Sequence, residues 1–190
     1  MRIGLLGGTF NPVHEGHLQL AEGARRELGL QQVIWIPAHL PPHKPMEGGA
    51  TPHDRARMVQ LAIGGHARFF LSRVELDRRP PSYTIDTVTE LRRRSPRRDA
   101  EWFFLLGSDN AAELSGWREI GRLKKLVRFA SVPRPGALGR GIPAGVVPLK
   151  VWTDDISSTE VRRRVRQGLS IDRIVPAPVR RYIEEKGLYR

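Results

Sequence analysis

Two short stretches carry the residues best suited to chemistry. The first is Gly7-Gly8-Thr9-Phe10-Asn11-Pro12-Val13-His14-Glu15-Gly16-His17. Gly7 and Gly8 follow an apolar run and would let backbone amides come close to an anion. His14 and His17 stand three apart at the start of a helical pattern, so both can face one side. Gly16 between them removes a side chain that would crowd a ligand. Free amides and the positive end of a helix dipole, beside two imidazoles, suit a phosphate chain. They suit a metal less well, because Glu15, the nearest carboxylate, should point elsewhere. The stretch is neither a GxGxxG dinucleotide fingerprint nor a GxxxxGK[ST] P-loop. Reading the two histidines as ordinary helix-start residues leaves the HxGH spacing directly after the glycines unexplained.

The second stretch is Ile156-Ser157-Ser158-Thr159-Glu160-Val161-Arg162. Ser157 and Glu160 have capping-box spacing. Three hydroxyls at a helix start lie beside free amides, and Arg162 lies within the first turns, a second anion-binding design. Taken alone, it reads more readily as a well-capped surface helix carrying Arg162, Arg163, Arg164 and Arg166.

These residues need elements to position them, and strands alternate with helices along the chain. Strands are expected at Ile3–Gly8, Val33–Ile36, Phe69–Val74, Trp102–Leu106, Val127–Val132 and Val146–Val151. Helices are expected at Gly16–Leu28, closed by Gly29, and from Thr51-Pro52-His53-Asp54 to Ile63. Others are expected at Tyr83–Arg94, Trp117–Leu126, Ser157–Gln167 and Pro178–Lys186. Pro37–Pro45 and Pro133–Pro143 read as proline-rich loops. The alternation predicts an α/β fold: a Rossmann-like, doubly wound parallel sheet with helices on both faces. A small helical extension, about 156–190, closes it. No repeat or long linker divides the chain, so residues 1–190 are expected to form a single domain.

Composition excludes several classes. The chain has 190 residues, no Cys and 39% apolar residues. Without Cys there is no disulfide, thiolate nucleophile or Cys-based zinc site. No run approaches the roughly 20 apolar residues of a membrane span. The first six residues resemble the head of a signal peptide, but the apolar stretch fails by Asn11, and a buried strand fits it better. A cytoplasmic, membrane-free protein is expected. The net charge of +12 suggests nucleic acid. However, Arg92-Arg93-Arg94-Ser95-Pro96-Arg97-Arg98 and Arg162–Arg166 contain no aromatic residue to stack a base. No nucleic-acid partner is expected.

GGTFNPVHEGHL resembles the GxFxPxHxGH signature of the nucleotidylyltransferase superfamily. ISSTEVR resembles the ISSTxxR motif of its adenylyltransferases. Middle segments are similar to bacterial nicotinate-nucleotide adenylyltransferases: IPAHLPPHK (36–44), PPSYTIDT (80–87), Gly107-Ser108-Asp109 with Leu114 and Trp117, and Val132-Pro133-Arg134-Pro135-Gly136. The likeness covers essentially the whole chain. Asn11 stands where many members carry Asp, and Ala38-His39 where several carry an Asn-containing pair.

The resemblance implies transfer of AMP from ATP to nicotinic acid mononucleotide, with Mg²⁺ held mainly by ATP phosphates and no protein metal site. It implies ATP binding by Gly7, Gly8, Thr9, Phe10, His14, His17, Ile156, Ser157, Ser158, Thr159 and Arg162. His17 and Thr9 would meet the α-phosphate; His14, Arg162 and the Ser157–Thr159 segment would meet the β- and γ-phosphates. The nicotinate nucleotide would meet His43 or Lys44, Ser82, Tyr83, Thr84, Gly107, Asp109, Trp117 and Arg134. Trp117 serves the pyridine ring or the core, and Asp109 serves a ribose or a helix cap. A homo-oligomer is left open, as is a sister activity on nicotinamide mononucleotide or phosphopantetheine.

Overall fold

The computed structural model describes residues 1–40, 49–132, 142–151 and 153–190, and the side chains of residues 108 and 109 lie outside that description. Six strands, β1 (Arg2–Gly8), β2 (Gln32–Pro37), β3 (Phe69–Leu71), β4 (Glu101–Leu106), β5 (Arg128–Ser131) and β6 (Val146–Pro148), form one sheet. Their order is β3-β2-β1-β4-β5-β6, and every pair is parallel. The helices are α1 (Glu15–Glu27), α2 (Pro52–Ile63), α3 (Thr84–Arg94), α4 (Ser108–Ala112), α5 (Ile120–Leu126), α6 (Ser158–Arg166) and α7 (Ala177–Lys186). The expected doubly wound sheet is therefore present.

Alternation along β1 feeds two cores. Ile3 and Leu5 join Ile36, Phe104, Ile85, Val88 and Leu123, from the side carrying α3 and α5. Leu6 joins Val33, Trp35, Ala21, Met58, Val161 and Val179, from the side carrying α1, α2, α6 and α7. A strand buried on both faces needs an unbroken apolar run, which is what β1 supplies. At α2, Thr51 and Asp54 close a reciprocal cap: the Asp54 amide donates to the Thr51 hydroxyl, and the Asp54 carboxylate accepts from the Thr51 amide. Gly29, at φ +62°, follows the end of α1 as expected.

Several boundaries differ from the sequence reading. β3 stops at Leu71, three residues early. β6 stops at Pro148, and the Lys150 amide turns instead to the Glu27 carboxylate at 2.8 Å. α5 begins at Ile120, because a 3-10 turn at Leu114–Gly116 and Glu119 at φ +52° precede it. The short α4 follows β4 directly and is a helix outside the expected set.

The topology fixes where a ligand can sit. β1 pairs with β2 as far as Gly8↔Pro37, but with β4 only as far as Leu5↔Phe104. The two central strands part beyond that point, where strand order reverses. Such a crevice at the carboxyl ends of strands is the usual ligand site of open α/β sheets.

Candidate active site

The loop after β1 opens into this crevice. A Cβ on Gly7 would meet the Phe104 ring at 3.0 Å, and one on Gly8 would meet the Phe10 ring at 3.0 Å. Phe10 itself is buried with φ +49°, a left-handed conformation that a bulky residue adopts only when its surroundings enforce it. Its ring meets Trp35 at 5.4 Å and the edge of His17 at 5.0 Å.

Three side chains draw the loop's carbonyls inward. An Arg55 nitrogen of α2 donates to the Thr9 carbonyl at 2.7 Å. Arg162 of α6 donates to the Asn11 carbonyl at 2.9 Å, and the Ser158 hydroxyl donates to the Pro12 carbonyl at 2.8 Å. In a planar trans peptide the next N–H points opposite to the carbonyl. The amides of Phe10 and Val13 therefore turn away from these anchors, as an anion cradle requires.

His14 precedes α1 and His17 lies in its first turn. Their rings stack at 3.7 Å between centroids, tilted by 33°. The His14 backbone amide donates to His17 Nδ1 at 3.2 Å, which leaves the neutral His17 proton on Nε2. Burial pulls the His17 ring down to about 4. Burial and the neighbouring His17 hold His14 well below the usual histidine range. Both rings are neutral at pH 7, and His17 is a donor without being a cation. Gly16 gives the pair room, since its Cβ would come within 3.2 Å of His14 Nδ1.

The second motif lies against the first. The Ser157 hydroxyl accepts from the Glu160 amide at 3.1 Å and caps α6. The Glu160 carboxylate does not return the bond to the Ser157 amide; it pairs with Arg163 and Arg164. Those cations lie one turn on, within reach of a flexible carboxylate. Arg162 also reaches the Thr159 hydroxyl at 3.3 Å, and Ile156 packs at the core's edge. Thus Thr9, Phe10, His14, His17, Ser158 and Arg162 come together from opposite ends of the sequence.

On the other side of the crevice, Ser82 is buried and Tyr83 precedes the N-terminus of α3, which starts at Thr84. The Ser82 hydroxyl accepts from the His39 amide at 3.3 Å, joining this segment to the end of β2. The Arg118 guanidinium lies over the Tyr83 ring at 4.6 Å. Trp117 is half-buried, with edge contacts to Phe104 at 5.7 Å and Phe129 at 6.2 Å. Gly107 follows β4, and Asp109 lies in α4. His43, Lys44 and Arg134 fall outside the described residues.

Three buried groups escaped the sequence reading. Arg55 is fully buried and also donates to the Ala38 and His39 carbonyls, at 2.7 and 2.8 Å. Glu75 is buried behind the Ser82–Thr84 segment and takes the Thr87 hydroxyl at 2.7 Å. Burial raises its carboxyl, while hydrogen bonds from Thr87 and Ser82 and the charge of Arg78 oppose the shift. The Tyr189 hydroxyl donates to Asn11 Oδ1 at 2.8 Å, which ties Asn11 to the far end of the sequence. His39, the departure from the family pattern, meets the Arg78 carbonyl with ring Nδ1 at 3.1 Å. Arg55, Glu75 and Tyr189 carry no local signature; only tertiary packing brings them to the site.

Among the described residues, no group of three His, Asp or Glu side chains is placed to hold a metal ion.

The family model described as Cytidylyltransferase-like matches residues 5–164. A Gloeobacter violaceus protein named "Probable nicotinate-nucleotide adenylyltransferase" is 44% identical, covering 99% of this chain and 96% of its own length. A Thermus thermophilus protein of the same name is 45% identical, and both chains are covered fully. Plasmodium falciparum nicotinic acid mononucleotide adenylyltransferase, solved in complex with NaAD, superposes with a TM-score of 0.78 at 18% identity. That match covers 99% of this chain and 97% of the other, and speaks for the fold. With two anion motifs joined at the point of strand reversal, and relatives alike along their whole length, the chain belongs to the nicotinate-nucleotide adenylyltransferase family of cytidylyltransferase-like proteins.

Proposed function

We propose that this enzyme joins the AMP of ATP to nicotinic acid mononucleotide, giving nicotinic acid adenine dinucleotide and pyrophosphate in NAD biosynthesis. The observation that carries this reading is the direct contact between the two phosphate motifs, Ser158 and Arg162 on the loop of Asn11 and Pro12.

The 5′-phosphate oxygen of the mononucleotide attacks the α-phosphorus of ATP. A new P–O bond forms, the bond to the β-phosphate bridging oxygen breaks, and pyrophosphate leaves with that electron pair. The nucleophile is already anionic at pH 7, so no general base is needed. Catalysis is positioning plus charge stabilisation. His17 Nε2–H and Thr9 meet the α-phosphate as charge builds there. His14, the helix start at Ser157–Thr159 and Arg162 hold the β- and γ-phosphates. Gly7, Gly8, Phe10 and Ile156 shape that cradle. Mg²⁺ arrives as part of the ATP substrate, bound to its phosphates and water.

On the acceptor side, Ser82, Tyr83 and Thr84 offer donors to the nicotinate carboxylate, and Trp117 a face to the ring. Gly107 and Asp109 lie nearest the ribose, and His43, Lys44 and Arg134 meet the acceptor phosphate. The chain acts as one unit, because α6 builds the donor loop. No helix among the described residues is long and apolar enough to cross a membrane. That supports, with the substrates, a place in the cytoplasm.

The test is pyrophosphate release with Mg·ATP and each acceptor in turn. Nicotinic acid mononucleotide should be strongly preferred. Preference for phosphopantetheine would sink the substrate assignment, whereas equal rates with nicotinamide mononucleotide would sink only the selectivity.

A further inference from the structure

We propose that Arg55 is a positioning residue: a buried cationic strut that sets the spacing between the loop holding ATP and the loop holding the acceptor. This rests on the function proposed above.

Arg55 is 0% exposed, yet it forms no ion pair with a carboxylate among the described residues. All three of its hydrogen bonds go to main-chain carbonyls. One nitrogen serves both Thr9, after β1, and Ala38, after β2; the other serves His39. His39 passes the connection on, through its amide to the Ser82 hydroxyl and its ring to the Arg78 carbonyl. One guanidinium thus joins the phosphate loop to the segment that precedes α3. The direct link between the two loops, Ala38 N–H to the Gly8 carbonyl at 2.9 Å, lies at the sheet end of the crevice, and Arg55 adds the tie beyond it.

A buried cation is an expensive way to fill space. Desolvation costs several kcal/mol, and an apolar replacement of similar volume is often no less stable. Stability alone therefore does not explain an arginine here. Geometry does, because a planar fork can hold carbonyls of two loops at once, which the single ammonium of lysine cannot reproduce. In-line attack needs reacting atoms about 3–3.5 Å apart, and a misplacement of about 1 Å costs on the order of 10²-fold in rate. The strut's yield is this distance. The unpaired charge also adds positive potential under a site for two polyanions.

The experiment compares the wild type with Arg55→Lys and Arg55→Met. It measures kcat, KM for each substrate, binding of Mg·ATP alone and of nicotinic acid mononucleotide alone by calorimetry, and thermal midpoints. Arg55→Lys should lose about 10²-fold in kcat. Binding of each substrate by itself should stay within about threefold, since each loop keeps its own contacts. Arg55→Met should lose at least as much. If kcat per folded molecule is retained and only the midpoint falls, Arg55 is structural and the proposal is wrong. A parallel measurement needs no variant. In wild-type protein labelled at arginine nitrogens, the Arg55 side-chain N–H signals should exchange slowly with water. They should shift when Mg·ATP alone or nicotinic acid mononucleotide alone is added. Shifts with only one ligand, or with neither, would overturn the strut. If the wild type binds both ligands but releases no pyrophosphate, the proposed function fails while the strut is still read out by its signals.

Discussion

The two halves of the crevice are built differently. The side proposed for ATP is mostly main chain, its carbonyls held by side chains: Arg55, Arg162 and Ser158 on Thr9, Asn11 and Pro12. The side proposed for the acceptor presents half-buried side chains, Tyr83 and Trp117, standing on separate segments after β3 and β4. A triphosphate is the same in every related reaction and can be met by a rigid main-chain cradle. An acceptor ring distinguishes one reaction from another, and side chains on separate loops allow that choice. The contrast predicts that donor-side changes strike the chemical step and acceptor-side changes strike binding of one substrate.

The largest expected effect is at His17. His17→Ala should lower kcat on the order of 10²-fold or more, with KM for both substrates moved far less. Steady-state kinetics check this, and a kcat within a few-fold of wild type would remove His17 from the transition state. Next comes Trp117→Ala, which should raise KM for nicotinic acid mononucleotide about tenfold, as expected for a lost ring contact. KM for ATP should be unchanged. If both KM values rise together, the indole is core packing, and the contrast between the two sides blurs.

A smaller effect is expected at the join. Tyr189→Phe removes one buried hydrogen bond to Asn11 and should cost about 1 kcal/mol in denaturant unfolding. The smallest effect is in pH. His14 and His17 are both depressed in the folded state, His17 to about 4. The unfolded chain, titrating near 6.5, therefore takes up protons first as pH falls. Their contribution to stability is complete above about pH 6.5 and is lost as pH falls from there towards 4. Protonation of His14 and His17 should leave activity unchanged between pH 6.5 and 8. Ring proton shifts of His17 followed by NMR should titrate near 4, and a midpoint near 6.5 would exclude the neutral donor.

The donor motifs were legible because their signals are local. A strand ending in Gly-Gly, two histidines at helical spacing and a serine cap are properties of neighbouring residues. Arg55 was invisible for the opposite reason. Thr51-Pro52-His53-Asp54 announces where α2 begins, but an arginine one residue later looks like any solvated helix cation until the loops close over it. Glu75 reads the same way before the Thr87 hydroxyl meets it. β6 ends at Pro148, before Val151, which the sequence pattern includes because Val151 is as apolar as a strand residue. Its side chain instead sits on α1 at Gly23, where a Cβ would come within 2.3 Å of it. At α6 the local spacing allows Glu160 two sets of partners: its amide takes the Ser157 cap, and the nearby arginines take its carboxylate.

The contact between Asn11 and Tyr189 spans 178 positions, and those from Arg162 and Ser158 to the same loop span 151 and 146. Closing loops of that length carries an entropic cost that must be met before any such contact repays it. The proposed phosphate cradle is then expected to be among the last parts of the molecule to assemble and among the first to open. Brief detachment of α6 and α7 would release the carbonyls of Asn11 and Pro12 while the central strands remain paired. Loss of catalysis on gentle heating would therefore run ahead of loss of the sheet.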